Sequence, residues 1–145
     1  MGDYFRYLVT VDCDLTLAAL EELFRRSSDQ FSIHGEEASP NAGDLLYGSS
    51  ILGDIEINRP GEEVFDEDLD EQREILDSIE EGTEYVRSVL ERVKLMVALQ
   101  LTEEGHGAYD QIDPLWDLLF ENCDGLLQVD DEGFYDSEGV VLALD

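Results

Sequence analysis

Apolar and polar residues alternate over residues 4–12. Phe5, Tyr7, Val9 and Val11 fall on one side, and Arg6, Thr10 and Asp12 on the other, with Leu8 among them. That period predicts a strand with one well-buried face. Asp14 or Thr16 can then cap a helix over 15–26, because a short oxygen-bearing side chain satisfies the first free amides. Leu17, Leu20, Leu23 and Phe24 recur along one side of it, with Glu21 and Glu22 outward.

Phe31 and Ile33 mark a short strand at 30–34. Residues 36–43 hold Ser, Pro, Asn and Gly and read as a loop. Residues 50–58 alternate again, with Ile51, Gly53, Ile55 and Ile57 inward and Asp54, Glu56 and Asn58 outward. Arg59-Pro60-Gly61 ends that strand. Leu69, Leu76, Ile79, Val86, Leu90 and Val93 lie at helical spacing and predict a long amphipathic helix over 67–93. Gly82 weakens it or divides it into two.

Residues 94–102 alternate Leu95, Val97, Leu99 and Leu101 with Lys94, Met96, Ala98 and Gln100. A strand is preferred there, since a helix from 67 to 102 would be unusually long. Residues 103–107 read as a turn. Asp113-Pro114 reads as a helix start, with Leu115, Trp116, Leu119 and Phe120 as its apolar face and Gly125 as its stop. Residues 126–129 and 140–144 are the last two strands, with turn-like acidic segments between them.

The order is β-α-β-β-α-β followed by an α-β-β extension. The first six elements match the split pattern of ferredoxin-like sandwiches. The expectation is an α+β protein with a mainly antiparallel sheet, helices on one face, and one domain spanning 1–145.

Charge changes the picture most. The chain holds 37 acids and 8 bases, a net charge of −29, and Lys94 is its only lysine. Aliphatics and aromatics run through its whole length, so it reads as a folded domain with an acidic surface, not a solvated tail. Such a field repels nucleic acid and anionic membranes, so neither is an expected partner. Acids crowd between Glu62 and Glu84, where twelve face one base, Arg73. A solvated helix face explains this run, and so does a docking surface for a basic protein, with a divalent-cation site as a third reading.

Other chemistry is weakly marked. Cys13 and Cys123 read as two buried small residues, too few to staple a domain of this size. Residues 1–6 lack the basic and apolar regions of a signal peptide, and no apolar run is long enough to span a bilayer. A cytoplasmic location is expected. Asp130, Asp131, Glu132, Asp136 and Glu138 invite a calcium reading, but their spacing does not fit an EF-hand loop. His34 and His106 read as exposed polar residues. No phosphate-binding, nucleophile-elbow, zinc or dinucleotide motif is present. No cofactor, metal or catalytic residue is assigned.

The leading reading is a small acidic protein without catalytic activity, acting by protein–protein contact and masking a basic partner as an inhibitor or immunity protein does. Its contact residues are Asp70, Glu71, Glu74 and Asp77 on the acidic helix. Phe134 and Tyr135, the aromatic pair in the acidic hairpin, are the further candidate contact residues, of which one is expected inside and one at the surface. The alternative is an enzyme or small-ligand binder whose acidity reflects a high-salt host.

Overall fold

A computed structural model describes residues 4–13, 15–36, 39–130 and 132–143. Its elements in chain order are β1 (Tyr4–Val9), α1 (Leu17–Phe24), β2 (Phe31–Glu36), β3 (Ser39–Tyr47), β4 (Ser50–Asn58), α2 (Glu63–Asp77), α3 (Glu84–Leu90), β5 (Leu95–Leu101), α4 (Glu103–His106), α5 (Tyr109–Asn122), β6 (Gly125–Val129), β7 (Gly133–Asp136) and β8 (Gly139–Ala143).

Residues 5–9 of β1 are buried without exception. A strand buried on both sides belongs in the middle of a sheet covered on both faces. β1 takes that place in the order β2-β3-β4-β5-β1-β6-β7-β8, and every neighbouring pair is antiparallel. Phe5, Tyr7 and Val9 enter one core with Val97 and Leu99 of β5, under α1 and α5. Leu8 enters a second core with Met96, Leu126 and Phe134, under Phe65, Leu69 and Leu76 of α2 and Val86, Val89 and Leu90 of α3.

The class is therefore α+β with one antiparallel sheet, as the alternation implied. The placement of helices on one face is corrected to two faces. Alternation in β1 and β5 shows their larger side, but Leu8, Met96 and Ala98 are also buried. The ferredoxin-like order is not what the strand order shows. Of the segment that reads as a loop at 36–43, residue 36 ends β2, residues 37 and 38 lie outside the described residues, and residues 39–43 lie in β3, which pairs with both β2 and β4. Its small and turn-forming residues hide it. β7 is likewise hidden between two acidic turns, and α4 replaces the turn at 103–107.

Several expected features hold locally. Thr16 caps α1 by accepting a hydrogen bond from the Ala19 amide at 3.1 Å; Asp14, the other candidate cap, lies outside the described residues. The long acidic helix is divided into α2 and α3, and Gly82 in the gap has φ of 85°, a backbone form that other residues rarely adopt. Residues 95–101 are strand. α5 starts one turn earlier than expected, so Asp113 is not its cap and Pro114 lies inside its first two turns. Val11 and Ile51 are exposed, not inward. A bulge opposite Leu45 and Leu46 shifts the register of β4, so Leu52 replaces Ile51 in the core. Gly105 lets α4 lie on β4, since a side chain there would meet the Leu52 carbonyl.

The basic residues neutralise little of the acidic charge. Arg25 donates to the Phe31 carbonyl, Arg59 to the Leu15 carbonyl and Arg92 to the Ser88 carbonyl. Arg73–Asp70, Arg87–Asp77 and Lys94–Asp12 are exposed ion pairs, a kind that contributes little. Self-repulsion is therefore a standing cost of the folded state, and salt screens it over about 8 Å at physiological ionic strength. We expect the melting temperature to climb steadily from low to molar KCl. A flat profile would remove self-repulsion as a dominant effect.

Candidate functional site

Helical periodicity in α2 turns Phe65, Leu69, Gln72 and Leu76 toward the sheet. It leaves Asp70, Glu71, Glu74 and Asp77 exposed on the opposite side. The structure thus brings the four sequence-predicted acids together as one ridge. Asp70 is paired with Arg73 at 2.9 Å and Asp77 with Arg87 at 2.8 Å, so Glu71 and Glu74 stand between two partly neutralised ends. Glu80, Glu81 and Glu84 extend the exposed acids toward α3.

β7 separates Phe134 and Tyr135 by its alternation. Phe134 is fully buried against the α2–α3 core. It fills space inside and is withdrawn as a surface contact. Tyr135 emerges on the other face, half-buried, and its hydroxyl donates to Glu132 at 3.3 Å.

Tyr135 belongs to a cleft between α5 and the β6–β7 end of the sheet, with a cavity of about 460 Å³. Phe5 and Trp116 stack at 5.2 Å with their planes 11° apart, and Tyr109 and Phe120 complete the aromatic wall. Asp113 and Asp117, one helical turn apart on α5, and Glu132 bring three carboxylates to the same cavity. Burial, reinforced by Asp110, Asp117 and Glu132, raises the Asp113 carboxyl above its ordinary value. Burial first and then Glu132 likewise raise the Tyr135 phenol. Trp116 is almost wholly buried, and its Nε1 has no hydrogen-bond partner among the described residues.

The hairpin acids have other work. Asp130 accepts from Arg6 at 2.7 Å and from Gln128 at 2.9 Å. Asp136 accepts from the amides of Glu138 and Gly139, closing its turn. Asp131 lies outside the described residues. His34 is exposed, as expected, and stands in register with Asp44, Asp54, Gln100 and Tyr4 across β2, β3, β4, β5 and β1. Burial, then a hydrogen bond and repulsion from Asp44, raise the Asp54 carboxyl. His106 is exposed and touches the Tyr109 hydroxyl at 3.3 Å. No group of three or more metal-ligating side chains converges among the described residues.

No family model, no curated protein and no solved structure matches this chain. The site is therefore defined by its own residues. Sequence reasoning finds the ridge, since it is local to one helix. It misses the cleft, whose walls come from β1, α5, β6 and β7. The one local signal is Asp113 and Asp117 flanking Trp116 on α5.

Proposed function

We propose that this chain acts by contact with a basic protein and has no catalytic role, with the outer face of α2 as the footprint. The observation that carries the reading is the α2 ridge: Asp70, Glu71, Glu74 and Asp77 exposed together on a helix whose other side is docked by Phe65, Leu69 and Leu76. A rigid row of like charge steers an oppositely charged surface into register and speeds encounter at low salt. An inhibitor or immunity protein that masks a basic enzyme would work in this way. Nucleic acid is repelled by the same field and serves as the negative control.

No described helix is long and apolar enough to cross a membrane. A cytoplasmic setting is part of the proposal, and the redox state of Cys13 and Cys123 in freshly lysed cells, trapped by alkylation, tests it.

The functional test is capture of a partner from host lysate at low and high salt, followed by kinetics with the purified partner. Changing Asp70→Asn, Glu71→Gln, Glu74→Gln and Asp77→Asn should slow association about tenfold at low salt while leaving the fold intact. The control changes Asp136 and Glu138 to amides and spares Asp130, which holds Arg6, and Glu132, which lines the cleft under α5. An equal or larger loss from the control set would move the footprint to the hairpin. Association that ignores salt would remove charge as its basis.

A further inference from the structure

The cleft under α5 lies on the opposite face of the sheet from the α2 ridge. Phe5 and Trp116 belong to the core under α1 and α5, whereas α2 covers the other core. The cleft is thus a separate feature, and a ligand there would bind whether or not α2 has a partner. Two kinds of wall meet in it. Tyr109, Phe120 and Tyr135, all half-buried, supply open ring surface, which attracts cations through its negative faces, while Phe5 and Trp116, stacked on each other and almost wholly buried, form the floor. Asp113, Asp117 and Glu132 supply anionic oxygens at the same cavity. An apolar guest would bring nothing to balance the carboxylate charge, and an anion would be expelled. A bare metal ion would find ring carbon where it needs oxygen.

We propose that this cleft is a binding pocket for a guanidinium group, presented as an arginine side chain on a peptide segment of another protein. A guanidinium is planar, stacks on aromatic faces and keeps its donors in one plane for carboxylates. That combination matches a cavity with rings for walls and acids around it. A lysine ammonium is a compact, strongly hydrated point charge and gains less from ring faces. The source follows from the position of the acids. Asp113 and Asp117 are exposed at the cleft, where free arginine would set its carboxylate against them, whereas a peptide lying across the cleft offers a guanidinium with no carboxylate beside it. The Asp113 carboxyl is raised first by burial and then by its acidic neighbours, and a bound cation would relieve the second of these.

Trp116 is the only tryptophan, so its fluorescence reports the cleft directly. The intact protein is titrated, at constant ionic strength, with doubly capped arginine, capped lysine, capped citrulline and free arginine. Citrulline has the shape of arginine without its charge. Capped arginine should give a saturable change, confirmed by calorimetry, with capped lysine and free arginine weaker and citrulline silent. Asp113→Asn with Asp117→Asn, both at exposed positions, should weaken capped arginine by about tenfold. Citrulline or lysine binding as tightly as arginine would overturn the guanidinium assignment. Free arginine binding more tightly than the capped form would overturn the peptide source. Absence of saturable binding by both methods, or an unchanged affinity in the double variant, would overturn the pocket itself.

Discussion

Arg6→Met should be the most damaging substitution of a charged residue in this protein, lowering stability by about 3–5 kcal/mol. Arg6 is 6% exposed, on the side of β1 that α2 covers. Its Nη1 donates to Gln128 at 2.8 Å and to Asp130 at 2.7 Å. Its Nε lies 3.3 Å from Asp68 Oδ2. Those two atoms are off hydrogen-bond geometry, but Nη2 donates to Asp68 Oδ1 at 3.5 Å, so the pair joins a long hydrogen bond to its coulombic attraction. The guanidinium also lies over the Tyr4 ring, 4.1 Å from its centroid. Burial opposes this charge, yet Asp68 and Asp130 more than offset it and raise the Arg6 pKa overall. Removing the cation leaves Asp68, which is only 13% exposed, facing Asp130 beneath a helix already crowded with acids. The attraction that ties α2 to β1 and β6 turns into repulsion. Arg6→Met with Asp68→Leu should recover a large part of the loss, because it removes the unpaired charge along with its partner. Urea melts of parent, single and double variants give the comparison. A single variant within about 1 kcal/mol of the parent would show that the network contributes little.

The same residue shows where sequence reading stops. The alternation around Arg6 gives its direction correctly: it does point away from Phe5 and Tyr7. That this second side is also covered depends on α2, which lies more than fifty residues further on. Alternation reports which side is more apolar, not whether the other side is dry. β4 shows a second limit. Its Ile51-to-Ile57 pattern is even, but a bulge moves Leu52 inward and Ile51 out, and a bulge leaves no period to read. β3 shows a third. Its Pro, Asn and Gly signal a loop, yet from Gly43 to Tyr47 it is paired on both sides and so held extended. Context outweighs strand propensity there. The functional surfaces divide in the same way. The α2 ridge is legible because four acids at helical spacing share one face whatever the tertiary fold. The cleft is not, because Phe5, Trp116 and Tyr135 converge only after the sheet order is known. Phe134 and Tyr135 lie between these cases: alternation requires one inside, and only the second core shows that it is Phe134.

Reduction of the Cys13–Cys123 bond should destabilise the folded chain by about 2–5 kcal/mol. Sequence spacing suggests two separate buried residues, but the cysteines form a disulfide with their Cα atoms 6.5 Å apart across a sequence separation of 110. The fold brings them together because β1 and β6 are neighbours at the middle of the sheet. Cys13 follows β1, and Cys123 ends α5 just before β6. One link of this span constrains most of the unfolded chain, and chain entropy alone would favour folding by nearly 5 kcal/mol. The junction has other ties. The Tyr7 hydroxyl donates to the Cys123 carbonyl, and the Thr10 amide donates to the Asp124 carbonyl at 3.0 Å. The reduced protein should therefore keep its fold at a lower midpoint. Urea melts with and without dithiothreitol measure the loss, and Cys13→Ala with Cys123→Ala supplies the control, which must be indifferent to reductant. A parent equally indifferent would mean that the bond contributes nothing in solution. A clear loss would mean that the protein reaches full stability only where thiols are oxidised, which would weigh against the proposed cytoplasmic setting.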